Sequence, residues 1–194
     1  MREWIRTQTT DKNLWSIVFC RMSWIRIKFV PMNQKSNKPL EVVVGKLLVE
    51  KKQTLAIAES CTGGLLTHRL TNVPGSSTYI IASVIAYAYE AKVAALGVSW
   101  ETLNKFGAVS AETVTAMARG AREKFAATIG LAITGIAGPG GGTPDKPVGL
   151  VYLALADARD VIVEQHIWRG NRLRNKAESA QAALELLARY LTQS

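Results

Sequence analysis

Between Gly135 and Pro144 the chain reads Gly-Ile-Ala-Gly-Pro-Gly-Gly-Gly-Thr-Pro, five glycines and two prolines in one short stretch. No helix or strand interior tolerates that composition, because glycine loses too much backbone entropy on ordering and proline removes a hydrogen-bond donor. The stretch is a loop, and its neighbours decide its kind. Ile129 to Thr134 before it and Val148 to Ala156 after it are apolar runs of strand length. A glycine-rich loop that directly follows a buried strand predicts a binding loop at the carboxyl edge of an α/β sheet rather than a linker between domains. It is not a Walker loop, since no Gly-Lys-Ser/Thr follows, nor a dinucleotide fingerprint, since no helix follows at the required spacing.

A second strand end carries a nucleophile. Thr54-Leu55-Ala56-Ile57 is a short apolar run, Ala58-Glu59-Ser60-Cys61-Thr62-Gly63-Gly64 follows, and Leu65 to Leu70 has helical spacing, so helix 62 to 72 is expected to open on this turn. Ser60 therefore stands where a strand turns into a helix. That position suits a nucleophile beside an oxyanion site, a phosphate cradle built from free amides, or a plain helix cap made by Ser60 or Thr62.

The rest of the chain alternates regularly from Pro39 onward. Pro39 opens a helix to about Lys52 with Val42, Val43, Leu47 and Leu48 on one face. Tyr79 to Ala88 is an apolar run expected to be a central strand. Glu90 to Leu96 and Ser99 to Phe106 are short helices closed by Gly97 and Gly107, and Ser110-Ala111-Glu112-Thr113 opens a longer helix to about Thr128. Val148 to Ala156 and Val161 to Trp168 form an antiparallel hairpin across Asp157-Ala158-Arg159-Asp160, and a helix from about Arg172 to Leu191 ends the pattern. The fold class expected is α/β, with a mixed, mostly parallel sheet, helices on both faces, a terminal hairpin and a C-terminal helix.

Composition excludes several classes. Two cysteines, Cys20 and Cys61, make no disulfide framework, and no Cys/His cluster has metal-ligand spacing, so no metal is expected. A reducing cytoplasm follows as the expected location, and no stretch is long and apolar enough to span a membrane. The net charge is +9, of which residues 1 to 38 supply +6 and the remainder only +3. Residues 1 to 36 hold three of the five tryptophans and no lasting period, and read as a basic extension, disordered or the product of a start assigned too early. Solvation is the default use of such a charge run, so nucleic acid is not an expected partner.

The chemistry candidates converge on one sheet edge: Ser60 after the first strand, Tyr87 to Lys92 after the second, Thr134 and the glycine loop after the third. A serine hydroxyl needs a neighbour to take its proton, and with His68 and His166 isolated in pattern, Lys92 and Tyr87 are the bases on offer. Lys92 does that work if burial lowers its pKa. Arg169, Arg172 and Lys176 lie three and four apart at the start of the last helix, where cations oppose the dipole, and an anionic ligand is a sensible reason for them.

Together these residues resemble a known family. A-E-S-C-T-G-G at 58 to 64, A-Y-x-x-E-A-K at 86 to 92, T-G-I-A-G-P-G-G-G-T-P-x-K-P-V-G at 134 to 149 and G-x-R at 170 to 172 are similar to the C-terminal domain of the competence/damage-inducible protein CinA and its stand-alone relatives, the nicotinamide-nucleotide amidohydrolases. The resemblance covers residues 37–194 and implies a three-layer α/β/α domain that hydrolyses the carboxamide of nicotinamide mononucleotide to nicotinic acid mononucleotide and ammonia, without a cofactor. It implies Ser60 as nucleophile, Tyr87 and Lys92 as the proton-handling pair, amides at the start of helix 62 to 72 as the oxyanion donors, and Thr62, Gly63, Thr134, Gly135, Gly138, Gly140 and Arg172 at the substrate. A phosphorylated nucleotide is the implied small-molecule partner, and a homo-oligomer, dimer or trimer, the implied assembly. Two departures stand out: Tyr87-Ala88-Tyr89 where the family has Tyr-Ser-Asn, and Gly170-Asn171-Arg172 where it has Gly-Asp-Arg. They keep an alternative open, a non-catalytic nucleotide-binding or regulatory module that retains the pocket.

Overall fold

The computed structural model describes residues 38–193; the expectation for residues 1 to 36 lies outside the described residues. Its elements are α1 (Leu40–Glu50), β1 (Leu55–Glu59), α2 (Leu65–Thr71), a 3-10 turn at Ser76–Thr78, β2 (Ile80–Ile85), α3 (Tyr89–Leu96), α4 (Trp100–Phe106), α5 (Ala111–Lys124), β3 (Ile129–Gly135), β4 (Leu150–Ala156), β5 (Val161–Ile167) and α6 (Arg172–Gln193). The sheet runs β2-β1-β3-β4-β5. β1 is parallel to both β2 and β3, while β3–β4 and β4–β5 are antiparallel, so four of the five strands point the same way.

Burial explains this order. β1 is buried at every residue and β3 at all but its last, as strands covered on both faces must be. β2 alternates instead, with Ile81 and Ile85 half exposed, at 49% and 54%. It is an edge strand, which corrects the expectation of a central one: an apolar run shows that a strand meets a core, not that it has two neighbours. Helices α1, α2 and α6 cover one face around Val44, Leu48, Leu66, Leu70 and Leu187. Helices α3, α4 and α5 cover the other around Leu96, Leu103, Val114 and Met117. The result is the three-layer α/β/α architecture. On α1 the buried positions are Val44, Gly45 and Leu48, and Val42, expected on that face, is 39% exposed.

Local chemistry sets the helix starts on the second face. The Ser99 hydroxyl accepts from Thr102 N (3.0 Å) and the Ser110 hydroxyl from Thr113 N (3.1 Å), each satisfying an orphan first-turn amide. Gly130 lets α5 lie directly on the sheet, because a Cβ there would sit 2.0 Å from Ala118 O.

The β3–β4 connection is closed at its neck. Ile136 N donates to Leu150 O (2.8 Å) and Gly149 N to Ile136 O (2.7 Å). Gly149 has φ +90, and a Cβ on it would stand 1.9 Å from Trp168 O. Gly149→Ala combines a backbone conformation unfavourable for L side chains, worth roughly 1–2 kcal/mol, with overpacking worth roughly 1–3 kcal/mol. A loss of about 3 kcal/mol in chemical denaturation is expected, and a loss under 1 kcal/mol would contradict this account of the neck.

Candidate active site

The site forms where β1, β2 and β3 end side by side. Beyond the last residue of β1 the ladder persists, with Ser60 N donating to Ile133 O (3.0 Å) and Ala86 N to Glu59 O (2.9 Å). Ser60 is thereby held at the sheet edge by its own backbone. Lys92, the fourth residue of α3, is fully buried, and its Nζ donates to Ala86 O (2.7 Å), Tyr87 O (3.0 Å) and Ser60 Oγ (3.2 Å). A ring of contacts therefore closes from Ser60 through Glu59 and Ala86 to Lys92 and back. No carboxylate pairs with Lys92 among the described residues, and burial pushes its pKa below the usual lysine range, with a smaller upward push from Cys61. Desolvation penalises the ammonium, so the neutral amine, a proton acceptor, gains weight.

Tyr87 meets Lys92 through its backbone carbonyl. Its side chain is 58% exposed, and its hydroxyl accepts from Arg172 Nη2 (2.8 Å) rather than joining Lys92 or Ser60. Arg172, from the first turn of α6, also donates through Nη1 to Gly138 O (2.8 Å), so one guanidinium ties the glycine loop to the end of β2. The loop has further anchors. Asn175, buried on α6, donates through Nδ2 to Ala137 O (3.1 Å), and Lys146 Nζ donates to Phe106 O (2.6 Å). A segment rich in glycine and proline is thus held at both ends and in the middle, as a preformed wall requires.

That wall encloses a cavity of about 270 Å³. Ser60, Cys61 and Tyr87 line one side, Thr134 to Gly138 with Gly140 and Gly141 another, and Arg172 and the loop residues Ala108 and Val109 complete it. Of the residues expected at the substrate, Thr134, Gly135, Gly138, Gly140 and Arg172 are on the wall. Thr62 and Gly63 are not: they belong to the turn before α2, which begins only at Leu65. The Thr134 hydroxyl donates to Ala108 O (2.7 Å), so it positions the opposite wall. Across Arg172 and Ala137 lies a second hollow of about 500 Å³ bordered by Pro139, Val148 and Leu173.

Glu59 is the residue that sequence reasoning missed. Fully buried, its Oε2 accepts from Gly64 N (2.9 Å) and Leu66 N (3.3 Å), and its Oε1 from Thr67 N (2.8 Å) and Thr67 Oγ1 (2.7 Å). The amides of Gly64, Leu66 and Thr67 are therefore already occupied, which narrows the amides at the start of the expected helix 62 to 72 that are open to an oxyanion. The amides left beside the nucleophile without an oxygen acceptor among the described residues are those of Cys61 and Thr62. An acidic residue that ends a buried strand a short turn ahead of a helix is the signal that identifies such an internal cap. The Cys61 thiol lines the cavity, but burial pushes its pKa up to about 12, which leaves it protonated and inert.

The two departures from the family pattern fall beside the site, not in it. Tyr89 Oη accepts from Ala108 N (3.2 Å), pinning the same wall from outside. Asn171 Oδ1 accepts from Arg174 N (2.9 Å) and caps α6. His68 bonds to Asn72 and His166 to Glu164, both off the cavity wall. Among the described residues no group of acidic, His and Cys side chains has the arrangement of a metal site, and no helix is long and apolar enough to cross a membrane.

The model of the CinA C-terminal domain family matches residues 37–191. A competence-damage inducible protein of Moorella thermoacetica is 53% identical over 152 residues, 78% of this chain and 37% of that protein. A CinA-like protein of Geobacter metallireducens is 48% identical over 155 residues, 80% of this chain and 38% of that protein. The chain thus spans a little over a third of the length of these curated relatives. Among solved structures, a CinA superfamily protein of Klebsiella pneumoniae superposes with a TM-score of 0.77 at 30% identity, covering 80% of this chain and 97% of that one. The competence/damage inducible protein CihA of Agrobacterium tumefaciens gives 0.74 at 35% identity, covering 82% of this chain and 99% of that one.

Proposed function

From the premise that the chain belongs to the CinA C-terminal domain family, we propose that it is a serine-dependent amidohydrolase acting on nicotinamide mononucleotide. The observation that carries this reading is the buried Lys92 Nζ 3.2 Å from Ser60 Oγ, with no carboxylate to hold it protonated. A lysine spent on a surface ion pair needs no such burial; a lysine that must accept a proton does. Neutral Lys92 takes the Ser60 proton as Oγ attacks the carboxamide carbon. The tetrahedral oxyanion faces the Cys61 and Thr62 amides, the donors Glu59 leaves free. Lys92 then returns the proton to the departing nitrogen, and ammonia leaves an acyl ester on Ser60. A water molecule, deprotonated by the same amine, releases nicotinic acid mononucleotide and restores Ser60. This proton path runs through Lys92 alone, since the Tyr87 hydroxyl is engaged by Arg172.

Two features favour a mononucleotide. The cavity, at about 270 Å³, lies near the lower end of the span of roughly 300–1,000 Å³ usual for small ligands, a size that suits a single nucleotide. No acidic side chain lines it, while Arg172 does, so its field suits an anion. The departures at Tyr89 and Asn171 support intact walls and an intact α6 start, which gives the non-catalytic reading no particular footing.

The test is direct. Purified protein incubated with nicotinamide mononucleotide is expected to release ammonia and nicotinic acid mononucleotide in equal amounts, and Ser60→Ala is expected to lose both. Ligand-induced thermal stabilisation with no ammonia would instead establish the binding module.

A further inference from the structure

The basic side chains of α6 divide into two groups. Arg174 pairs with Glu178, and Arg189 with Glu164. Arg172 and Lys176, one turn apart on the side facing the Ser60 turn and the glycine loop, have no carboxylate partner among the described residues. They are not equivalent. One donor on each terminal nitrogen of Arg172 is engaged, by Gly138 O and by Tyr87 Oη, so a ligand that pulled the guanidinium away would loosen the glycine loop. Lys176 is half-buried and makes no hydrogen bond or ion pair with any described residue. Its Nζ lies over the turn that carries the nucleophile, 3.6 Å from where a Cβ on Gly63 would stand. It is near enough to the cavity wall for its charge to act on Cys61. The same turn contains the Thr62 hydroxyl, fully buried and without a partner. A partly desolvated cation with no counter-ion is a cost the fold itself does not offset, and an anionic ligand does.

We propose that Lys176 is the specificity-determining cation for the phosphomonoester of the substrate, while Arg172 positions the loop and the end of β2. The proposal rests on the amidohydrolase reading for the identity of the substrate, but not for the existence of the anion site. It places the phosphate beside the Ser60–Gly64 turn, on the α6 side, and leaves the carboxamide at Ser60.

The experiment compares kcat/KM for nicotinamide mononucleotide and for its phosphate-free riboside in wild type, Lys176→Met and Lys176→Arg. The mononucleotide-to-riboside ratio is expected to fall at least tenfold in Lys176→Met, mainly through KM, and to recover in part in Lys176→Arg. A ratio unchanged in Lys176→Met overturns the proposal, because a purely structural lysine would affect both compounds alike. If the wild type releases ammonia from neither compound, the amidohydrolase reading fails separately. The same ratio is then read from equilibrium binding by calorimetry: tenfold weaker mononucleotide binding in Lys176→Met relative to riboside sustains the anion site, and equal binding removes it.

Discussion

Replacing Lys92 with methionine is expected to lower kcat for carboxamide hydrolysis by about a thousandfold, within the roughly 10²–10⁴ span for loss of a positioned acid–base group. Methionine keeps the length and apolar stem of lysine and removes the amine, so Ser60 Oγ loses the contact at 3.2 Å and retains its proton. A thousandfold loss corresponds to about 4 kcal/mol of transition-state stabilisation. Lys92→Arg separates the two roles a cation can have here. A guanidinium keeps the charge and the donors toward Ala86 O and Tyr87 O but does not give up a proton in a protein, so this variant is expected to be as inactive as Lys92→Met. Retention of more than a tenth of wild-type kcat by either would remove Lys92 as the base.

The sign of the pH dependence follows from burial. Desolvation disfavours the ammonium, so the folded pKa lies below that of the unfolded chain. The rate is expected to climb with pH as Lys92 deprotonates and to level off above the depressed value, earlier than for an exposed lysine. Stability moves in the same direction. Below the depressed pKa the folded state carries the full penalty of a buried cation. Between that value and the ordinary lysine pKa the unfolded chain binds more protons, so stability rises with pH across the window.

Element order is legible in this sequence because its signals are local. Apolar run length marks β1 and β3, the Ser99 and Ser110 caps mark α4 and α5, and Gly97 and Gly107 mark where helices stop. Ser60, Lys92, Thr134 and Arg172 are legible as candidates because they stand at strand ends or in the first turns of helices. The position of β2 is not, since Ile81 and Ile85 are as apolar as core residues while standing half exposed at an edge. The partners of Tyr87 are not legible either. Its backbone carbonyl serves Lys92 and its hydroxyl serves Arg172, two contacts 5 and 85 residues away in sequence that only the assembled sheet edge brings together. The wall at Ala108 and Val109 escapes notice for the opposite reason: its small apolar side chains carry no chemistry, and its role comes from where Thr134 and Tyr89 hold it.

Glu59→Ala is expected to cost about 4 kcal/mol of stability, the largest effect on folding of any single substitution considered. Four donors converge on that carboxylate, and each hydrogen bond to a charged acceptor contributes roughly 1.5–3 kcal/mol. The relief of desolvating a buried ion offsets part of the sum. For a domain of this size the loss corresponds to a fall in Tm of roughly 8–16 °C. Glu59→Gln isolates charge from shape: the amide fills the same space and keeps one acceptor, but its NH2 group faces N–H groups that need an oxygen. It is therefore expected to be destabilised by about half as much. Activity is expected to fall more steeply than stability in both variants. Freed of Glu59, the amides of Gly64, Leu66 and Thr67 seek water, and the turn between Ser60 and Gly64 loses the anchor that aims the Cys61 and Thr62 amides. A variant that melts at the wild-type temperature would show that α2 is held by its packing at Leu66 and Leu70 alone, and that the carboxylate is not what sets the geometry of the nucleophile.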